Sequence, residues 1–281
     1  MLTIPRTELP ADLQILHQNI REFLVQQTPR EGKSESAQLS GTTNLKGDQQ
    51  YLFDKQIDHL VFDWLEKHFE GGEVLSEEDS NLRHFGKNGL YRFVSDPVDG
   101  SDNFFRGLPL SSISLAVLAS KSELCVDQVQ FSMVGSLASS VPILASTNKG
   151  AWQGDTRLRV SPVSEVKNAF ISCEMNHAFV DSHLGKLLKD ARGVRSYGCA
   201  SQAITLVAQG ALDVHIDIRS RLTPESFLAA AHILQEAGGS LFIEGEKKIA
   251  SSLADRFNLI VASTPELLCE VKQRLFGDIT P

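Results

Sequence analysis

Cysteine is scarce in this chain, and the four present, Cys125, Cys173, Cys199 and Cys269, stand far apart with no C-x-x-C pair among them. That spacing argues against a zinc framework and a disulfide-stapled scaffold, and it suits a reducing cytosol. No apolar run reaches the roughly 18 residues that a membrane-spanning helix requires. The opening segment MLTIPRTELPADLQ also lacks the apolar core of a secretory leader. The chain therefore reads as cytoplasmic, with no membrane partner. Positive charge is thin as well: formal net charge is −8, and the longest basic run is the pair Lys247-Lys248. A nucleic acid polymer is bound largely by neutralising its phosphates, so that partner class is excluded. An acidic protein can still hold a small anion when a cation supplies the positive charge. The eight histidines are scattered without metal-ligand spacing, and there is neither an internal repeat nor a low-complexity segment.

The chain does have ample apolar material, 42% of 281 residues, enough for a large core. From Asp12 to Gln27, Leu13, Leu16, Ile20, Phe23 and Leu24 fall on one helical face. A polar segment rich in Gly, Ser and Thr follows over 28–48 and reads as a loop. Helical spacing returns from Gln49 to Phe69. The middle of the chain reads as strands (GLYRFVSD, SISLAVLAS, DQVQFSMV, SVPILAS and the segment GAWQGDTRLRV), and beyond Ser161 strands and helices alternate. This mixture implies an α/β or layered α+β architecture. Thr223-Pro224-Glu225 and Thr264-Pro265-Glu266 each carry the chemistry of a helix start: a capping Thr, Pro in the first helical position and an acid in the first turn.

The stretch richest in chemistry runs Ser95-Asp96-Pro97-Val98-Asp99-Gly100-Ser101-Asp102-Asn103-Phe104, directly after a strand. Two carboxylates three residues apart, with Pro between them and Gly after, suit a tight turn that aims both at one point. Mg²⁺ favours a few carboxylates together with phosphate oxygens and water. Gly100 permits close backbone approach, and a helix beginning near Ser101 would offer free N–H groups to a phosphate. Taken alone, the segment is equally compatible with a plain acidic turn. The acidic run Ser76-Glu77-Glu78-Asp79-Ser80 reads by itself as a solvated helix cap or loop, and Asp48 and Asp54 as caps.

In their order and spacing these segments resemble the inositol monophosphatase and fructose-1,6-bisphosphatase superfamily. Leu75-Ser76-Glu77-Glu78 resembles its G/S-E-E segment, and Asp96 to Phe104 its D-P-[IL]-D-G-[ST]-x-N-F signature. Gly150-Ala151-Trp152 through Ser161 resembles a strand pair of the family. Tyr197-Gly198-Cys199-Ala200 through Gly210 resembles G-S-A-A…V-A-x-G, and Glu236-Ala237-Gly238-Gly239 the late E-A-G-G. The likeness runs from about Gly47 to the C-terminus. It implies a layered sandwich of alternating helix and sheet layers. Residues 1–161 would form an N-terminal lobe with the metal and phosphate site, and residues 162–281 a C-terminal lobe with substrate contacts.

The resemblance further implies Mg²⁺ as cofactor, a small phosphorylated substrate and a homodimer. One metal would be held by Glu77, Asp96 and the Val98 carbonyl, and a second by Asp96 and Asp99. The N–H groups of Gly100 and Ser101 would cradle the phosphate. Asp48 and the Ser101 hydroxyl would orient and deprotonate the attacking water, and Asp54 would support them. Gly198, Cys199, Ala200 and Asp217 occupy substrate-contact positions, with Asp217 available to polyol hydroxyls. Arg219, in Asp217-Ile218-Arg219, would either serve a second phosphate or be a strand-end arginine.

The chain departs from the family at the helix leading to E-A-G-G, where Ser226 stands in place of a metal-binding Asp. Glu225 is adjacent, but neighbouring helical residues point about 100° apart, so it reads more simply as a first-turn acid like Glu266. This loss implies reduced activity or a raised Mg²⁺ requirement. The expected function is Mg²⁺-dependent hydrolysis of a small phosphomonoester, an inositol monophosphate or a related sugar or polyol phosphate. The alternatives are a fructose-1,6-bisphosphatase or nucleotide 3′-phosphatase on the same fold, and a catalytically weak relative that binds a phosphorylated ligand or protein partner.

Overall fold

A computed structural model of the chain describes residues 9–27, 39–43, 49–87, 89–244, 250 and 252–277. It opens with helix α1 (Leu9–Gln27), whose Leu13, Leu16, Ile20 and Leu24 are buried at the anticipated spacing. Next come strands β1 (Leu39–Thr43) and β2 (Gln49–Tyr51), paired antiparallel, and helix α2 (Leu52–His68). Two expectations are corrected here. Residues 39–43, inside the segment read as loop, are extended: the β-branched Thr42 and Thr43 suit a strand, and Thr42 Oγ1 donates to Gln50 Oε1 at 2.6 Å. The following helix begins at Leu52 instead of Gln49, because buried Gln50 and Tyr51 stay in the strand and the Tyr51 ring stacks on Phe53 and Phe105.

Strands β3 (Gly71–Ser76) and β4 (Asp79–Gly86) form a hairpin whose tip is the turn Glu77-Glu78, so the acidic run is a loop and not a helix cap, and its Glu77 is not solvated. Glu77 is only 8% exposed. The large sheet continues with β5 (Tyr91–Asp99), β6 (Ser112–Ala119), β7 (Val129–Ser136), β8 (Ile143–Ser146), β9 (Gly150–Gln153) and β10 (Thr156–Arg157). The short helix α3 (Ser101–Phe105) interrupts after β5. The strand order is β10-β9-β8-β7-β6-β5-β3-β4, antiparallel except for β3 against β5.

A second sheet follows from β11 (Phe170–Cys173), helix α4 (Ser182–Asp190), β12 (Gly193–Arg195), helix α5 (Ala200–Ala208), β13 (Val214–Leu222), helix α6 (Pro224–Glu236), β14 (Ser240–Ile243), β15 (Phe257–Ala262) and helix α7 (Pro265–Phe276). Its order is β12-β11-β13-β15-β14, with β11 parallel to both of its neighbours.

Alternation along the strands sorts side chains into three cores. On β6, Ile113, Leu115 and Val117 pack with α1 and α2, while Ala116 and Leu118 face α5 and α6. On β15, Leu259 and Val261 face that same central layer, while Ile260 and Ala262 pack with α4 and α7. The layers therefore run helix, sheet, helix, sheet, helix, as expected. Helix α6 is buried from Pro224 to Leu234 on every side, the signature of a helix between two covering layers. Its Ala229-Ala230-Ala231 run carries little bulk on any face. Both Thr-Pro-Glu segments start helices as anticipated, α6 and α7. Only Thr264 caps with its side chain, accepting the Leu267 N–H at 3.2 Å.

Candidate active site

The site grows out of the C-terminal end of β5. Asp96 pairs with Ser114 and Asp99 with Ser112, so three steps on β5 oppose two on β6. Pro97, which has no N–H for the ladder, sits in this bulge, and a bulge re-aims the side chains around it. Gly100 then takes φ +85° and α3 begins at Ser101. A Cβ at Gly100 would lie 2.8 Å from the Leu110 carbonyl and 3.2 Å from both the Gly198 carbonyl and Cys199 Cβ. The glycine thus brings the β5–α3 turn directly against the segment preceding α5. The Asn103 amide fastens the same junction, donating to Leu110 O at 2.9 Å and Tyr197 O at 2.7 Å. The Ser101 hydroxyl has two acceptors in reach, Val98 O at 2.8 Å and Asp54 Oδ1 at 3.0 Å.

On the facing side, α5 presents its N-terminus to Asp99. The Ser201 N–H and hydroxyl donate to Asp99 Oδ2 at 2.7 and 2.6 Å, and the Cys199 thiol lies 3.3 Å from the same oxygen. Burial first, and then the Asp99 charge, push the Cys199 thiol well above its ordinary pKa, so it is no nucleophile. Sequence reasoning overlooked Glu174, at the end of β11. Its Oε2 accepts the Gly198 N–H at 3.1 Å, and its Oε1 accepts those of Met175 and Asn176 at 2.9 and 3.2 Å. The one available sign was an acid closing the strand AFISCE.

The remaining wall is acidic. Glu77 is held by its N–H to Ser95 O at 3.2 Å. Glu78 takes the Gln50 amide at 2.5 Å, yet burial, with the charges of Glu77 and Asp54 behind it, raises its pKa to about 9. Asp54 accepts the Tyr51 N–H and the Ser101 hydroxyl, but burial outweighs both, and Glu77 and Asp102 add to it, giving about 8. Asp102 is engaged by the Tyr51 hydroxyl at 2.7 Å. Asp48 lies outside the described residues.

One cavity of about 1240 Å³ unites most of the expected residues: Glu77, Val98, Asp99, Gly100, Ser101, Gly198, Cys199, Ala200, Arg219 and Ser226 line it, together with Asp54 and Glu174. Asp96 is 1% exposed and contacts it through Ser226, whose hydroxyl is 3.3 Å from Asp96 Oδ2. One expectation changes. Asp217 is fully buried and does not line the cavity. Arg219 binds both its oxygens, at 2.8 and 2.7 Å, so the carboxylate is turned to structure and away from polyol hydroxyls. The same fork, with a further bond to Asn176 O at 2.9 Å, occupies Arg219. Glu225 is, as read, the first-turn acid of α6, as Glu266 is of α7; unlike exposed Glu266 it is 2% exposed, and it does not line the cavity.

Among the described residues, no group of three or more His, Cys, Asp and Glu side chains is arranged to hold a metal ion by itself. That disfavours an all-protein cage. It is compatible with Mg²⁺, which keeps several waters and takes one or two carboxylates plus substrate oxygens. The donor chemistry fits as well. The carboxylates are hard oxygen ligands, and burial, with the charge of Glu77 behind it, raises the pKa of Asp54 and Glu78, a repulsion that a cation would offset. Among the described residues, no helix is long and apolar enough to cross a membrane.

Residues 14–272 match the pattern that defines the Inositol monophosphatase family. Over 228 residues the chain is 26% identical to an inositol-1-monophosphatase of Mesorhizobium japonicum, covering 77% of this chain and 82% of that one. Over 231 residues it is 28% identical to a fructose-1,6-bisphosphatase/inositol-1-monophosphatase of Thermococcus kodakarensis, covering 80% and 82%. In fold it is similar to the crystal structure of the extragenic suppressor protein suhB from Bartonella henselae, with TM-score 0.76 at 20% identity, covering 96% and 98% of the two chains.

Proposed function

This chain belongs to the inositol monophosphatase family, and on that footing we propose that its cavity hydrolyses a small phosphomonoester, an inositol monophosphate or a related sugar or polyol phosphate, with Mg²⁺. The observation that carries the reading is the convergence of Glu77, the Val98 carbonyl, Asp99 and the Gly100-Ser101 turn on one cavity. An acidic wall of this kind repels a phosphate dianion unless a cation intervenes. Glu77, Asp96 and the Val98 carbonyl are the residues that would hold it. Bound Mg²⁺ supplies positive charge to the phosphoryl oxygens and lowers the pKa of water.

The chain's own groups do the rest. The first N–H groups of a helix lack intrahelical acceptors, and those of α3 receive phosphoryl oxygens. Gly100 keeps that turn close enough for contact. The Ser101 hydroxyl, poised between Asp54 and the Val98 carbonyl, orients water for attack on phosphorus, and the expected base Asp48 takes the proton of that water. Glu174 fixes Gly198, and with it the backbone of Cys199 and Ala200 on which the alcohol moiety rests.

The test is phosphate release from inositol-1-phosphate, fructose-1,6-bisphosphate and a nucleotide 3′-phosphate, titrated with Mg²⁺ and repeated with Asp96→Asn. Release that needs Mg²⁺ and disappears in the variant supports the proposal and names the substrate class. Folded protein that releases nothing at any Mg²⁺ concentration refutes it, and favours a protein that binds a phosphorylated ligand without turnover.

A further inference from the structure

Asp99 is already committed. Its Oδ2 receives the Ser201 N–H, the Ser201 hydroxyl and the Cys199 thiol, and the same thiol lies 3.3 Å from the Asp99 carbonyl. Ser201 is in turn fixed: its Oγ stands 2.7 Å from Ser112 Oγ on β6, which is 3.2 Å from Cys199 Sγ. Ser112, Cys199 and Ser201 are all buried, at 0 to 1% exposure. Hydrogen bonds to an ionised carboxylate are about twice as strong as neutral ones, and these come from the two elements that flank the turn. Swinging Asp99 Oδ2 onto a cation would break them and leave the buried Ser201 and Cys199 donors without that acceptor. Across the cavity, Ser226 brings only a hydroxyl, which is engaged by Thr223 Oγ1 at 3.2 Å and by Asp96 at 3.3 Å. A second cation beside the first would have to share Asp96 with it, and would otherwise have only Asp99, whose Oδ2 is taken, and Ser226, which brings no charge.

We infer that Ser201 is a positioning residue that fixes Asp99 as the acceptor for the N-terminus of α5, and that the cavity consequently takes one divalent cation, at Glu77, Asp96 and the Val98 carbonyl. Asp99 then joins β5 to α5 and sets the distance between the phosphate turn and the Gly198–Ala200 backbone. The inference rests on the proposed hydrolase reading and sharpens its metal content.

The test counts ions, not turnover. Free Mn²⁺ gives an EPR signal that disappears on binding, so titration yields ions bound per chain. Wild-type protein is expected to bind one, and the double variant Ser201→Ala/Ser226→Asp two. Ser226→Asp alone, with Ser201 still holding Asp99, is expected to bind the second ion at least tenfold more weakly than the double variant. Two ions of comparable affinity in the wild type, with phosphate released, overturn the inference and leave the hydrolase reading standing. No bound ion and no phosphate release overturn both. A second ion bound by Ser226→Asp as tightly as by the double variant removes Ser201 from the explanation and overturns its role.

Discussion

Two glycines bracket α3, and they separate backbone strain from crowding. Gly100 and Gly107 both have left-handed backbones, φ +85° and +74°. A Cβ at Gly107 would have nothing within 4 Å, whereas one at Gly100 would be 2.8 Å from the Leu110 carbonyl. Left-handed conformation costs an L-residue about 1–2 kcal/mol, and that is the whole expected loss for Gly107→Ala. Gly100→Ala adds an overlap with backbone that no rotamer relieves, and overpacking of this kind adds about 1–3 kcal/mol. The expected total is therefore about 2–5 kcal/mol, roughly twice the loss at Gly107. Parallel denaturant titrations measure both. Function should divide more sharply, because Gly100→Ala pushes the turn off the Gly198-Cys199 segment, and displacements near 1 Å cost up to about 10²-fold in rate. Gly107→Ala leaves that junction alone and should keep its phosphate release. Equal destabilisation by the two variants, or equal loss of release, would refute the claim that close approach, more than the left-handed φ, is what requires glycine at position 100.

Removing the Arg219 guanidinium strands a fully buried Asp217, so Arg219→Ala should cost about 3–5 kcal/mol in denaturant titration; adding Asp217→Asn should recover much of it, and no recovery would argue against the ion pair. Asp54 and Glu78 hold their protons in the fold to about pH 8 and 9, whereas unfolded carboxyls release them near pH 4. Between those limits the folded chain binds more protons, so stability falls as pH rises. Melting temperatures of cation-free protein should drop from pH 5 to pH 9, and Glu78→Gln should flatten the upper part of the slope; an unchanged slope would show that Glu78 is ionised at neutral pH. Phe227, 2% exposed and edge-on to Phe257 at 5.5 Å, joins the central layer to the small sheet. Phe227→Ala should cost about 3–5 kcal/mol, read by the same titration.

Helical periodicity and the D-P-V-D-G-S turn were legible in the sequence because each carries its own local signal. Leu13, Leu16 and Ile20 announce a buried helical face whatever they pack against. The β3–β4 hairpin was not legible. Gly72, a poor strand former, stands in β3 where a Cβ would meet the Phe93 and Phe85 rings at 2.8 and 3.0 Å, a crowding visible only in the fold. β4 is an edge strand with Asp79, Asn81 and Arg83 along it, a composition poor in β-formers. Glu77 consequently looked solvated in the sequence, whereas tertiary packing buries it. The role of Asp217 was hidden for a related reason. Spacing shows an acid two residues before Arg219, but not that the guanidinium folds back to take both of its oxygens. Glu174 and Ser201 act through backbone N–H groups brought close only by the fold, and neither contact has a counterpart in local sequence.

Helix α6 has a consequence for how the protein is made. The large sheet is complete once Arg157 has been synthesised, yet one face of its β5–β8 region is covered by residues 224–236, which leave the ribosome several dozen residues later. Synthesis runs at about 5–20 residues per second. For some seconds, Val94, Ala116, Leu118, Val134 and Ala145 therefore lack the helix that shelters them in the finished molecule. A nascent chain with a bare apolar sheet face is a natural client for ribosome-associated chaperones. Truncations that stop before Pro224 should fail by aggregation, leaving no working half-protein.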